Sequence, residues 1–167
     1  MTKTETNWVE EIGKPAFDSI AEMVAAVTLD WDRLEELIQS AAHERRIEHG
    51  DLEPSEEDAE LLEELDELRA ARGDCEDEDD AQQRIDEDPL SIELGGWWCP
   101  GGEPEATEYR ILLCTGGPAV RIIGDIGQHG EAHSATLEVQ NWFKPWTAYD
   151  CDEDVLLEYV GRLYLGD

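Results

Sequence analysis

Acidic residues fill half of one stretch of this chain: residues 51–88 contain 19 Asp and Glu and only 3 Arg in 38 positions. Carboxylates at this density repel one another and are costly to bury, so the stretch must keep most of its surface in water. Its apolar residues are few, but several recur at helical spacing. The stretch is therefore predicted to form amphipathic helices that depend on packing against other segments through narrow apolar stripes.

The whole chain shares this bias, with 43 Asp and Glu, 12 Lys and Arg and a formal net charge of −31 over 167 residues. A surface this negative repels phosphate groups, which excludes a protein that binds nucleic acid through a basic face of its own. The charge is uneven: residues 1–94 carry 31 acids and 8 bases, and residues 95–167 carry 12 acids and 4 bases. The chain is thus electrostatically two-part.

Helix signals dominate residues 1–88, which are predicted to form an acidic helical region. Ser19 and Glu22 have the spacing of a capping box, which predicts a helix that starts at Ser19. Asp30 is the predicted N-cap of a second helix.

A third helix is expected to open near Pro54 and to end at Gly73, and a short fourth one to cover 79–86. The second and third helices are predicted to pair as an antiparallel hairpin across a loop at 49–54. The apolar stripe of the third helix consists of Leu61, Leu62, Leu65 and Leu68.

From Pro89 onward the pattern changes to short alternating runs with brief turns, so residues 89–167 are predicted to form an antiparallel sheet followed by a C-terminal helix that Asp152 caps. The strand candidates are 91–94, 109–114, 119–124 and 135–140. The predicted fold class is therefore α+β: an N-terminal acidic helical hairpin or small bundle, then a three- or four-stranded antiparallel sheet with a C-terminal helix.

Aromatic residues are concentrated in the C-terminal part, which holds four of the six Trp and is predicted to contain the core. The segment 142–146, Trp-Phe-Lys-Pro-Trp, has two interpretations. It could stack nucleic-acid bases, but the net charge would repel the strand it needs to hold. The favoured interpretation is a sheet edge whose rings lie under the C-terminal helix.

Cys99, Cys114, His129 and His133 are zinc-ligand residue types in one part of the chain. Neither Cys has a second ligand two to four residues away, as the usual zinc knuckle requires. The cysteines are therefore predicted to be reduced, buried or half-buried thiols, and no metal or cofactor is expected.

Signatures of catalysis and of membrane insertion are missing from the sequence. It contains no nucleophile elbow, no phosphate-binding loop with its Lys and no dinucleotide fingerprint, so the prediction is a non-enzymatic protein. It has no apolar run that could cross a bilayer, and its beginning lacks the features of a signal peptide. A cytoplasmic protein without a membrane partner is expected.

The acidic stretch is then the main candidate for function. As one helix, 38 residues would extend at most about 57 Å, roughly 3.6 Å for each net charge, and one strand of B-DNA presents a phosphate every ~3.4 Å. This density predicts a DNA mimic that binds a basic nucleic-acid-binding protein. The alternatives are a merely solvated acidic face and an assembly module that forms a homodimer through the helical arm. The carboxylates predicted to imitate phosphates are Glu56, Glu57, Glu60, Glu63, Glu64, Glu67, Asp77, Glu78, Asp79 and Asp80.

Three motifs in the C-terminal part form a specific set: GGWWCPG at 95–101, LLCTGGPAVRIIG at 112–124 and LEVQNWFKPWT at 137–147. The set resembles a family of small acidic proteins from prophages, phages and plasmids of proteobacteria. The resemblance covers residues from about 74 to 167 and the helical arm only loosely, and it transfers no catalytic residue. It implies a mobile-element accessory protein in a bacterial host cell, where such acidic proteins often inhibit restriction or CRISPR defence by mimicking DNA.

Overall fold

The computed structural model of the chain describes residues 3–44, 56–97 and 105–165. Helices are followed by an antiparallel sheet and a C-terminal helix, which confirms the predicted α+β class. The elements are α1 Lys3–Val27, α2 Trp31–Glu44, α3 Glu56–Arg72, α4 Glu78–Glu87, β1 Ser91–Trp97, β2 Glu105–Cys114, β3 Ala119–Asp125, β4 Thr136–Gln140, β5 Thr147–Ala148 and α5 Glu153–Gly161.

The chain forms two compact units, one of Ala25–Ala81 and one of Met1–Val24 with Gln82–Asp167. The division predicted between 88 and 89 does not coincide with these units. Helices α1 and α4 are each divided between the two units: Ile20 and Ile85 are buried in the unit that contains the sheet, whereas Ala26 and Ala81 are buried residues of the unit Ala25–Ala81.

Helix α1 continues through Pro15 and Ser19, so the helix start predicted at Ser19 is wrong. Residues with the spacing of one helix face, among them Gly13, Ile20 and Met23, are buried on both sides of this position. Burial of a continuous apolar face stabilises the longer helix by more than a capping pair would stabilise a helix start at Ser19. The pattern Ser-x-x-Glu also occurs inside helices.

Two of the predicted N-caps are confirmed. The backbone N–H of Arg33 donates to Asp30 Oδ1 at 2.9 Å, and that of Asp154 donates to Asp152 Oδ1 at 3.0 Å. Gly73 follows α3 with a φ of +57°, the left-handed conformation that favours glycine after a helix.

In the unit of Ala25–Ala81, α2 and α3 pack together, as expected for the second and third helices. Their buried contact consists of Leu34, Leu37 and Leu65. The predicted loop at 49–54, with the helix start near Pro54, lies outside the described residues.

The five strands form an antiparallel meander in the order β1-β2-β3-β4-β5. The sheet has one strand more than the predicted maximum, because Thr147 and Ala148 pair with β4 as a two-residue strand. One face is buried, and the residues that form it alternate along β2, β3 and β4: Tyr109, Ile111, Val120, Ile122, Leu137 and Val139. Helix α5 lies against β4 and buries Leu156, Tyr159 and Val160.

Candidate functional site

Three of the predicted phosphate-like carboxylates line one side of α3. Glu60, Glu63 and Glu67 are all exposed and follow the i, i+3, i+7 spacing that places residues above one another on a helix. Helical rise separates their backbone positions by about 4.5 and 6 Å along the axis. Within the described residues, none of the three carboxylates has an ion-pair partner, so this row, called the acidic ridge below, offers its charge to solvent.

Glu64 is not available in the same way. Arg33 of α2 donates to both of its carboxylate oxygens, with Nε–Oε1 and Nη2–Oε2 distances of 2.8 Å. These hydrogen bonds hold the pKa of Glu64 below its usual range. Its carboxylate is paired within the chain and joins α2 to α3, so Glu64 is not counted in the acidic ridge; that it imitates a phosphate stays a prediction.

Asp77 and Asp80 also have structural roles. The backbone N–H of Asp80 donates to Asp77 Oδ1 at 2.8 Å, and the backbone N–H of Glu76 donates to Asp80 Oδ2 at 3.0 Å. The pair therefore caps the first turn of α4, where otherwise unpaired N–H groups attract carboxylates. Glu78 and Asp79 beside them are exposed. The side chains of Glu56 and Glu57 lie outside the described ones.

The leucine stripe predicted to mediate a homodimer is partly used inside the chain. Leu65 is 2% exposed in its contact with α2, and Leu68 packs against the same cluster. Only Leu61 and Leu62, at 36% and 45% exposure, face solvent on α3. The stripe therefore holds the two helices together more than it offers a surface to a second copy.

The candidate zinc-ligand set is not assembled. Cys114 pairs with Val120 at the start of β3, and His133 donates its backbone N–H to Asp125 at the other end of that strand. Five residues of strand separate these ends by roughly 17 Å. Among the described residues no group of three or more His, Cys, Asp and Glu could hold a metal ion, and Cys99 lies outside them.

The thiols differ in exposure, and we expect them to differ in reactivity. Cys114 is exposed and Cys151 is half-buried, and burial, with Asp150 and Asp152 nearby, raises the pKa of Cys151 to about 11. The thiolate is the reactive form, so at pH 8 iodoacetamide should modify Cys114 well before Cys151. The rate at Cys151 should rise about tenfold per pH unit up to pH 11. Peptide mass spectrometry measures both rates, and equal rates at pH 8 would contradict the raised pKa of Cys151.

Two of the rings predicted to lie under the C-terminal helix, those of Trp142 and Phe143, are instead on the surface, so that prediction is wrong for them. Trp142 is 63% exposed and Phe143 is fully exposed, between β4 and β5. We call residues 141–146 the aromatic loop. The sequence shows the large side chains but not which way the chain turns after Gln140, and this turn decides whether they face the core.

The aromatic loop is held in place by specific contacts. Lys144 N–H donates to the carbonyl of Asn141 at 2.9 Å, which closes a β-turn with Trp142 and Phe143 at its centre. The indole of Trp142 lies where a side chain at Gly117 would stand. Behind the turn, the Arg121 guanidinium carbon lies 4.1 Å from the centre of the Trp146 ring.

Phe143 has a φ of 60°, a left-handed conformation that costs a non-glycine residue about 1 kcal/mol or more. Its ring buries no surface, so Phe143→Gly should raise the free energy of unfolding by roughly 0.5–1 kcal/mol, because glycine relieves the backbone. Phe143→Ala keeps the strain and should leave stability unchanged. Urea unfolding checks both variants. A loss of more than about 1 kcal/mol in Phe143→Gly would show that the ring supports the fold.

The outer face of the sheet contains an open groove of about 480 Å³ over β1–β4. Some of its polar groups pair with one another: Arg110 Nη1 lies 3.2 Å from Glu93 Oε2, and Ser134 Oγ donates to Asp125 Oδ2 at 3.0 Å. At its rim Arg121 pairs with Glu138 at 2.6 Å. The two ion pairs are cross-strand pairs of the kind that stabilise a sheet.

No protein-family model matches the chain, and no curated protein and no solved structure is significantly similar to it. The resemblance to proteins of phages and plasmids stays a prediction. None of the described helices is both long and apolar enough to pass through a bilayer.

Proposed function

We propose that this chain is a non-enzymatic DNA mimic of mobile-element or phage origin that inhibits a bacterial DNA-binding defence complex of the restriction or CRISPR kind. The acidic ridge of Glu60, Glu63 and Glu67 is the observation that carries this proposal. Its carboxylates are exposed, lie on one side of a helix and follow one another at about 4.5 and 6 Å along the axis, the same order as, though wider than, the ~3.4 Å between phosphates of one DNA strand.

Packing against α2 gives the acidic ridge a fixed geometry. Leu65 and Leu68 anchor the apolar side of α3, and the two hydrogen bonds between Arg33 and Glu64 restrain its rotation. A charged row held in this way loses less conformational entropy on binding than a disordered acidic tail does. This support favours a docking surface over a solvated acidic face.

The whole unit adds to the attraction. Residues 25–81 contain 22 Asp and Glu and 5 Lys and Arg. Such a field steers the chain toward a basic DNA-binding groove and makes association fast and sensitive to salt. In the complex, each ridge carboxylate accepts hydrogen bonds from Arg or Lys side chains that otherwise bind phosphate oxygens.

The test is protection of phage DNA in cells that carry a restriction or CRISPR system. The unmodified chain should restore phage plating, and Glu60→Gln, Glu63→Gln and Glu67→Gln together should reduce this protection about tenfold or more, because three contacts to basic groups are lost.

The matched control is Glu22→Gln, Asp32→Asn and Asp154→Asn, which changes net charge equally at exposed acids that do not belong to α3. It should retain protection. The proposal is contradicted by an equal loss in both triple variants, by full protection from the ridge variant, or by no protection from the unmodified chain.

A further inference from the structure

The two edges of the sheet differ. At one edge β5 has only two residues and follows Pro145, so it offers little backbone to another strand. At the other edge β1 extends from Ser91 to Trp97. It has no Pro or Lys, and Glu93 is its one charged residue. A β-bulge between Gly95 and Gly96 interrupts the far end of β1, so the regular part that remains open to pairing is Ser91–Gly95.

The β1 edge carries an uncovered apolar row. Ile92 and Leu94 pair with Ile111 and Tyr109 of β2, so they point to the buried face of the sheet. Even so, they are 37% and 45% exposed, and Leu90 just before the strand is 60% exposed. Apolar side chains at alternate positions of an open edge are suited to cover by another strand.

The hydrogen-bond pattern shows which backbone groups this edge offers. Ile126 N–H donates to the carbonyl of Thr107, so along β2 the odd-numbered residues direct their backbone groups to β3 and the even-numbered ones to β1. Glu93, paired with Arg110, therefore faces β2 with its N–H and C=O. The neighbouring Ile92 and Leu94 present theirs to the open edge.

We propose that a second copy of this chain occupies the edge, with two β1 strands paired antiparallel about a twofold axis at Ile92. In this register Ile92 exchanges two hydrogen bonds with Ile92 of the other copy. Leu94 lies opposite its Leu90, whose N–H already donates to the carbonyl of Leu112 at 2.8 Å, so this outer pair adds apolar contact. Glu93 lies opposite Ser91, so no like charges meet. The pattern Leu90-Ser91-Ile92-Glu93-Leu94 is thus self-complementary, and the twofold axis places both apolar rows on the same face.

The net charge of the chain opposes such a dimer, but the local distribution of charge around β1 reduces the repulsion. Glu93 pairs with Arg110 of its own chain at 3.2 Å, which makes the edge nearly neutral. The remaining repulsion between two chains of net charge −31 is long-range and is screened by salt. The affinity of the dimer should therefore rise with salt, whereas the affinity for a basic partner should fall. The dimer is independent of the proposed function.

Sedimentation velocity of the full chain over a hundredfold concentration range, in about 0.1 and 0.5 M NaCl, tests this dimer. The mass should approach twice 18.8 kDa as the protein concentration rises. The dimer should form at a lower protein concentration in the higher salt than in the lower one. Ile92→Pro removes an N–H that faces the open edge, and Ile92→Lys places two charges at the axis. Each should raise the dissociation constant about tenfold or more.

Leu61→Lys is the matched control, because Leu61 and Ile92 are about equally exposed, at 36% and 37%, and Leu61 lies on α3. It should leave the dimer intact. Circular dichroism checks the fold of each variant, and if Ile92→Pro unfolds, Ile92→Lys decides. A monomer at every concentration and salt, or a dimer that both folded Ile92 variants retain, overturns the proposal.

Discussion

Gly124→Ala is expected to lower the free energy of unfolding by about 3 kcal/mol or more, the upper range for overpacking in a core. A Cβ at this position would collide with the carbonyl oxygen of Ser134 and would lie 2.6 Å from the Tyr109 hydroxyl. That hydroxyl donates to the same carbonyl at 2.6 Å, so the methyl group would displace a hydrogen bond between the sheet and the loop before β4.

The control is Gly161→Ala at the last residue of α5, where nothing lies within 4 Å of an added Cβ. Alanine is favoured over glycine in a helix by up to about 1 kcal/mol, so this variant should be neutral or slightly stabilised. Urea unfolding of the two variants measures the difference. Equal stabilities would contradict the close packing described around Gly124.

Alkaline pH is expected to destabilise the fold strongly, because two tyrosines are buried. Burial raises the pKa of Tyr109, and burial together with the hydrogen bond to Asp88 raises the pKa of Tyr159. A raised pKa means that the folded state holds the phenolic proton more tightly than the unfolded state does. The resulting stability is fully present below the unfolded pKa of about 10 and is lost as pH rises toward the folded value.

Between pH 10 and 11 each tyrosine should reduce the free energy of unfolding by about 1 kcal/mol. Cys151 adds a similar decline from about pH 9, because its pKa is raised to about 11. In Tyr159→Phe the free energy of unfolding should fall less steeply with pH, because only one of the two buried tyrosines remains. At pH 8 it should cost roughly 1–3 kcal/mol, because Asp88 loses a hydrogen bond of 2.5 Å.

Guanidinium unfolding at pH 8, 10 and 11 tests this pair of effects. Tyr164→Phe is the control, since Tyr164 is 75% exposed. It should change neither the stability at pH 8 nor the slope. A slope above pH 10 that is identical in Tyr159→Phe and in the unmodified chain would contradict a buried, protonated Tyr159.

The elements with local signals could be predicted from the sequence. Asp30 and Asp152 act through hydrogen bonds to residues two or three positions away, and the strands of 89–167 show alternation and turn glycines. Helix α1 could not be placed in the same way, because its length depends on an apolar face that packs in the tertiary fold. The capping-box spacing at Ser19 competed with that face.

The site was only partly predictable for a related reason. The sequence shows that Glu64 and Asp80 are acidic but not that Arg33 binds the first or that the backbone of Glu76 binds the second. Exposure of Trp142 and Phe143 depends on a turn with a left-handed residue, which a phenylalanine does not signal. A positive φ at a bulky residue becomes visible only in the folded chain.

The most direct test of the central claim is the affinity of the chain for the DNA-binding defence protein that we propose as its target, measured against salt and in competition with DNA. The acidic ridge predicts that the dissociation constant rises about tenfold or more between 0.05 and 0.2 M NaCl, and that bound chain and bound DNA exclude each other. The ridge triple variant should show a shallower salt dependence. An affinity that does not change with salt, or a complex that still binds DNA, would contradict DNA mimicry.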